Sequence, residues 1–354
     1  MDLTELSIVS IKTLLIYVAF IQVVPVMIWV ERKGAALIQD RPGPNRVGPF
    51  GVFQPIADAL KFLFKEDPVP KEVNRLLYNL GPFLILLPSS LIIAAIPVGD
   101  RVELFGRDIL LQVADIDVAL LFFLSISSLG VYGILFGGWA SNNKYSLLGA
   151  MRSSSQVISY EIPIALSAAN AVMFYGTFSL RQMVMQQEGV LLGFLPNWGI
   201  WFQPIGFLVL FVALFAETNR LPFDLPESEA ELVGGYHTEY GSMKFAAFFM
   251  AEYINLATAS ALLVTLFFGG WHVPWLSDSW LLLKLGSQNV VALVQVAMFL
   301  AKISVLLCIF VWVRWTVPRF RFDQLMHLAW GNLIPLGLAN IIVTAILLYF
   351  FEGR

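Results

Sequence analysis

ETNRLPFDLPESEAELVGGYHTEYGSMKFAAFFMAEYIN, residues 217–255, joins two long apolar runs, Ile205–Ala216 before it and Phe245–Phe268 within and beyond its end. Between Glu217 and Glu239 it carries Glu217, Asp224, Glu227, Glu229, Glu231 and Glu239 against the single cation Arg220, and Glu252 lies within the second run. Ionisable groups in or beside a bilayer core are expensive, so they are paired, protonated or set along a wet path. Glu227, Glu229 and Glu231 alternate, so an extended backbone would put all three on one face. On a helix, Glu227 and Glu231 would still be neighbours at i and i+4. Like charges that close cannot all ionise cheaply. The pattern is that of a proton path; its competitor is a solvated acidic loop, which the two apolar flanks disfavour.

Composition sets the class. Hydrophobic residues make up 58% of the 354-residue chain and charged residues 13%, and mean hydropathy is +0.75. A soluble domain has no use for so much apolar surface, so the fold class is all-α, a polytopic helical membrane protein forming one transmembrane domain over residues 1–354. A net charge of −3 gives no sign of nucleic-acid binding. The lone Cys308 lies in an apolar run and excludes disulfides and cysteine-ligated clusters within the chain. His237, His272 and His327 fall in different loops or loop edges, poor support for haem or zinc, so no metal is expected. No GxGxxG or Walker A stretch offers a dinucleotide or ATP site. The length of the first apolar run, with Asp2 and Glu5 ahead of it, argues against a cleavable signal peptide.

Runs long and apolar enough to cross a bilayer fall near Leu6–Val30, Leu77–Val98, Val118–Trp139, Gln156–Phe178, Trp201–Glu217, Phe245–Phe268, Val290–Val313 and Leu328–Phe351, which predicts eight spans. The ten tryptophans cluster near their ends, as in an aromatic belt. Of the 22 Lys and Arg residues, most lie in the odd-numbered loops, near 31–75, 140–155, 218–244 and 314–327. The even loops and the C-terminus hold only Arg101, Arg107, Arg181, Lys284 and Arg354. The odd loops are therefore expected in the cytoplasm and both termini outside.

In the first loop, Arg41-Pro-Gly-Pro-Asn-Arg46 is turn chemistry. After it, Phe53, Ile56, Leu60 and Phe64 form an apolar stripe opposite Gln54, Asp58, Lys61 and Lys65. This predicts a short amphipathic helix, either lying in the membrane interface or packed on its neighbours. The fourth span opens with Arg152-Ser-Ser-Ser-Gln-Val-Ile-Ser-Tyr-Glu161-Ile-Pro163. Pro163 lacks an N–H, so the Ser159 carbonyl loses its helical partner beside Glu161. Lys302, Arg314, Arg319 and Arg321 are candidate partners for the buried glutamates, and Lys12 is placed to snorkel outward.

Several motifs occur in order along the chain: Glu31-Arg32-Lys33, Gly43-Pro-Asn-Arg-Val-Gly-Pro49, Gln54-Pro-Ile-Ala-Asp58, Ile158-Ser-Tyr-Glu161, Glu217-Thr-Asn-Arg220, Pro222-Phe-Asp-Leu-Pro226, Glu239-Tyr240, Ala251-Glu-Tyr253 and Pro318-Arg-Phe-Arg-Phe-Asp-Gln-Leu325. With these, the chain resembles the H subunit of bacterial NADH-quinone oxidoreductase, respiratory complex I, from about Trp29 to Trp330. The resemblance implies eight spans and a protein forming much of the tunnel by which a quinone head group reaches an iron–sulfur cluster in a neighbouring peripheral subunit. It implies that Arg32, Ala57 and Phe223 line the quinone path. It also implies that Glu161, Glu217, Glu227, Glu229, Glu231, Glu239 and Glu252 form an acidic chain linking quinone reduction to proton translocation. Quinone is then the substrate, and no cofactor is bound by this chain. FMN and iron–sulfur clusters are expected in partners: peripheral quinone-reducing subunits on the cytoplasmic side, and small and antiporter-like membrane subunits. The implied location is the inner (plasma) membrane. Ser228 stands where glycine is common in this family. Two alternatives stay open: a homologous component of a hydrogenase or ferredoxin-linked complex, and a stand-alone proton or cation transporter, against which the lack of an internal repeat counts.

Overall fold

The computed structural model describes residues 3–104, 106–191 and 193–352, with the side chains of residues 3–6, 229, 230, 351 and 352 outside that description. Along the chain run α1 (Leu3–Ile38), α2 (Gln54–Phe64), α3 (Arg75–Ile92), the hairpin β1 (Arg101–Leu104) and β2 (Arg107–Leu110), α4 (Ala119–Ala140), α5 (Lys144–Tyr175) and α6 (Leu180–Met185). There follow the short hairpin β3 (Val190–Leu191) and β4 (Leu195–Pro196), α7 (Gly199–Phe202), α8 (Pro204–Glu217), α9 (Glu229–Leu232), α10 (Ser242–Phe267), α11 (Asp278–Leu285), α12 (Gln288–Thr316), α13 (Phe322–His327) and α14 (Ile334–Glu352). Both hairpins are antiparallel two-stranded ribbons.

Seven helices among the described residues are long and apolar enough to span a bilayer: α1, α3, α4, α5, α10, α12 and the continuous stretch α13–α14. The eighth expected run, Trp201–Glu217, is interrupted. Gln203 adopts φ −134°, ψ 58° because the residue before a proline is driven out of the helical region, and Pro204 then opens α8. That helix has 14 residues, about 21 Å of rise, short by itself of a ~30 Å hydrocarbon core; α7 lies directly ahead of the break, so the run stands as a broken eighth apolar segment beside the seven long helices.

The helix ends also correct the expected loops. The stretch near 140–155 is mostly helix, since Asn143 caps α5 by accepting from the Tyr145 N–H at 2.8 Å. α1 runs on to Ile38 and α12 to Thr316, so the loops near 31–75 and 314–327 are shorter than the polar sequence suggested. The early start of α5 puts Glu161 near its middle, with Pro163 accommodated inside a continuous helix.

α10 is the axis of the bundle. In its most apolar stretch 78% of residues are buried, against 22% for the first and last spans. Around it α3, α4 and α5 approach through glycines. A Cβ on Gly133 would lie 2.7 Å from the Ile85 nitrogen, and one on Gly138 would lie 2.4 Å from the Ala150 Cβ. Without a strong hydrophobic drive between helices in lipid, such small-residue contacts bring backbones together. The outward faces of α1, α12 and α14 remain apolar and exposed, as at Leu14, Leu293 and Ile342.

Candidate functional site

The site grows from one cation. Arg220 leaves α8 in an irregular segment, only 6% exposed. Its Nη1 donates to Glu31 Oε1 at 3.0 Å and Oε2 at 3.2 Å. Its Nη2 lies 3.7 Å from Glu252 Oε2, and its guanidinium carbon sits 4.0 Å from the centroid of the Tyr253 ring. The Tyr253 hydroxyl donates to Glu31 Oε2 at 2.5 Å, and Arg314 of α12 also donates to Glu31. Four elements that are far apart in sequence, α1, the 218–228 segment, α10 and α12, thus converge on one ionic cluster.

Glu31 reaches it because Val24, Met27, Glu31 and Ala35 share one buried face of α1, three or four residues apart. Glu31 belongs to a recognisable motif, yet the motif alone assigns it no role. A carboxylate continuing the spacing of a buried apolar stripe is the signal that marks it.

A second layer extends from Glu252. The Tyr236 hydroxyl donates to Glu252 Oε1 at 2.9 Å. Glu227 Oε1 lies 3.2 Å from His237 Nε2, and Asp224 accepts from Arg319 Nη2 at 2.8 Å. Burial, with the charge of Glu227 adding to it, pushes the Asp224 carboxyl up to about 6. Burial acts on Glu227 too, but His237, Arg220 and Arg314 together outweigh it and hold its carboxyl below the ordinary range. Burial and the nearby carboxylates raise the Tyr236 phenol far above its usual value, so it stays a donor. His237 and Tyr236 do not figure among the acids and quinone-lining residues expected from sequence, and Asp224, counted among the acids of its segment, is absent from the acidic chain that the resemblance implies. The histidines stand out there only as possible metal ligands, and a tyrosine carries no charge to draw the eye.

From Glu252 a third arm runs toward α4 and α5. A cavity of about 20 Å³ is lined by Glu252, Glu217, Asn219, Asn255 and Ser127, among others. That is room for one water with several polar partners. Glu217 meets Ser127, Glu161 meets Ser128, and the two carboxyls lie within electrostatic reach of each other. The Gln156 amide fixes the approach by donating to the Ala216 carbonyl at 2.8 Å, Asn219 Oδ1 at 3.2 Å and the Phe223 carbonyl at 2.8 Å.

Two expected acids sit apart. Glu231 accepts from Arg152 at 2.5 Å on an exposed surface, its side chain 57% accessible. It does not share a face with Glu227: the chain turns at Ser228 (φ 20°, ψ 67°), at the edge of the left-handed region that glycine enters most easily. The expected clustering of these like charges is thereby broken. Glu239 accepts from Asn143 Nδ2 at 2.6 Å, which ties it to the α4–α5 turn. The Glu229 side chain lies outside the described residues. Lys302, a candidate glutamate partner, instead donates to the carbonyls of Phe268, Gly270 and His272 at 2.7 to 2.9 Å, capping the end of α10. Arg314 pairs with Glu31 and Arg319 with Asp224, whereas Arg321 pairs with its neighbour Asp323 on the surface.

Of the residues implied to line a quinone path, Arg32 pairs with Asp58 of α2 at 2.6 Å and is half-exposed. Ala57 is half-buried on the same helix. Phe223 is enclosed by aromatic rings, its centroid 5.8 Å from Tyr160 and Phe215 and 5.3 Å from Phe320. α2 leaves Phe53, Ile56, Leu60, Leu63 and Phe64 exposed on one side.

A bundle of long apolar helices with a buried, branched network of carboxylates and guanidiniums at one end defines the class: a polytopic helical membrane protein with a buried ionic cluster. The model of the NADH dehydrogenase family matches residues 11–345. The chain is 45% identical to the H subunit of NADH-quinone oxidoreductase from Bdellovibrio bacteriovorus, over 98% of both chains. It is 49% identical to the protein of the same name from Flavobacterium psychrophilum, over 92% of each, and 49% identical to that of Protochlamydia amoebophila, over 90% of this chain and 91% of the other. The chain belongs to the NADH dehydrogenase family, among the H subunits of NADH-quinone oxidoreductase.

Proposed function

We propose that this chain is the membrane subunit of a proton-translocating NADH-quinone oxidoreductase in which quinone enters along α2 and the buried acids carry protons away from the quinone site. Arg32 and Ala57 line the entrance, and Phe223 forms an inner wall. The exposed apolar face of α2 supports that reading, since such a face suits a helix half-sunk at the membrane surface where a lipid-like substrate leaves the bilayer. FMN and iron–sulfur clusters belong to peripheral partner subunits on the cytoplasmic side, and small and antiporter-like membrane subunits receive the protons. The odd loops face the cytoplasm and both termini lie outside the inner membrane.

One observation carries the proposal. Among the described residues, Glu31, Glu252, Glu227 and Asp224 face only three guanidiniums, those of Arg220, Arg314 and Arg319, together with His237. Four carboxylates against three guanidiniums make the cluster neutral when it holds one further proton. A buried site poised one proton from balance can take up a proton and pass it on with little change in net charge. The cavity between Glu252 and Glu217 supplies the next step, toward Glu161. Glu229, Glu231 and Glu239 flank the cytoplasmic mouth of the path.

The test is amide substitution, which keeps shape and removes the exchangeable proton. Glu161→Gln and Glu217→Gln complexes should assemble, lose quinone-dependent turnover several-fold and pump poorly. Electron transfer to artificial acceptors that bypass quinone should be spared. Full turnover and full pumping in both assembled variants would make these acids structural.

A further inference from the structure

At the opposite end of the bundle from the Arg220 cluster, three side chains from separate segments meet: Glu188 of the β3–β4 region, His272 after α10, and Asp278 at the start of α11. Each offers one ligand atom, and these atoms lie within 4.8 Å of one another. His272 Nδ1 and Asp278 Oδ2 are 3.2 Å apart, yet neither ring nitrogen of this 5%-exposed histidine makes a well-directed hydrogen bond. A buried imidazole whose Nδ1 faces Asp278 Oδ2 and whose Nε2 has no hydrogen-bond partner among the described residues is costly unless something binds it.

The surroundings hold the set in place. Glu188 Oε1 accepts from the Asp278 N–H at 3.0 Å, which leaves its other oxygen available. The His272 backbone is pinned through its carbonyl by Lys302 at 2.7 Å, and its ring lies beside the buried Trp271. Glu188 is exposed and Asp278 partly so, which provides a way in from water.

We propose that Glu188, His272 and Asp278 form a binding site for a divalent transition-metal ion, Zn²⁺ in the first instance. One imidazole nitrogen with two carboxylate oxygens suits zinc, whereas magnesium and calcium favour all-oxygen sets. With zinc–ligand bonds of about 2.0–2.1 Å, the edge of a tetrahedron is about 3.3 Å, close to the observed His272–Asp278 separation. Glu188 closes the third corner by a side-chain rotation on the open side, and water takes the fourth. The ion staples the β3–β4 hairpin to the segment that Lys302 holds at the end of α10. One histidine and two carboxylates suffice for such a site once the fold gathers them.

The site is independent of the quinone reading, and its test reads metal rather than turnover. The assembled complex is stripped with chelator and equilibrated with micromolar ZnCl₂, and zinc per complex is measured by atomic emission. Wild type should retain one zinc more than His272→Gln, with affinity weakened at least about tenfold in Glu188→Gln. Should His272→Gln fail to assemble, Glu188→Gln decides alone, because its exposed side chain is not part of the core. Equal zinc content and equal affinity in wild type and Glu188→Gln would overturn the proposal.

Discussion

Replacing Arg220 by Gln removes the one cation that Glu31 and Glu252 share, and the two carboxylates should feel the loss unequally. Glu31 keeps Arg314 and the Tyr253 hydroxyl. Among the described residues, Glu252 keeps only the Tyr236 hydroxyl, at 2.9 Å. Breaking a buried ion pair costs about 3–5 kcal/mol. The remaining hold on Glu31 places the expected loss near the lower figure, about 3 kcal/mol. A Coulomb check on the 3.7 Å approach of Arg220 to Glu252 gives roughly 4.5 kcal/mol at an effective dielectric of about 20, the same order. The variant should therefore reach lower levels in membranes and dissociate at lower temperature, read from native gels of the heated complex. Adding Glu252→Gln should restore about half the loss, because an amide needs no cation in that place. The two changes are then non-additive, as expected of groups in contact. A single variant within about 0.5 kcal/mol of wild type would mean the cluster is solvated. A double variant worse than the single would mean that Glu252 does not depend on Arg220.

Ala57→Phe should raise the apparent KM for quinone in an assembled complex with kcat changed less, because a ring on half-buried Ala57 narrows the proposed entrance; quinone titrations check this. The raised Asp224 carboxyl carries a sign: the folded state holds a proton that the unfolded chain has released between about pH 4 and 6. Its contribution to stability therefore falls as pH rises through that window, and melting curves across it should fall less steeply for Asp224→Asn than for wild type. Gly138→Ala should drive α4 from α5, since its Cβ would lie 2.4 Å from that of Ala150 and 2.6 Å from the Ser146 carbonyl. A cost of about 1–3 kcal/mol is expected, visible as less of the protein in membranes.

The class of fold was legible in the chain because a bilayer leaves little choice. Long apolar runs must become helices, since no other open backbone satisfies its polar groups in hydrocarbon. The amphipathic helix was equally plain: the stripe Phe53, Ile56, Leu60, Phe64 and the position of Pro55 determine α2 locally, and its apolar side is indeed unpacked. Local chemistry failed where a boundary depended on polar residues inside a helix, as at Arg152-Ser-Ser-Ser-Gln156, which α5 absorbs against its neighbours.

The acids divide along the same line. Sequence by itself determined that carboxylates crowd a membrane-flanked segment and that some must be buried. Which of them share a site could only be settled in three dimensions. Glu227 and Glu231, four residues apart, part company at Ser228, one toward His237 and the other toward Arg152 at the surface. Glu31 and Arg220, 189 residues apart, meet at 3.0 Å. Spacing along the chain governs only neighbours on one helix or strand, whereas a buried charge takes whatever counter-charge the packing of other helices brings to it. That packing rests on glycines between α3, α4 and α5 and on α10 at the centre, contacts with no signature in local charge patterning.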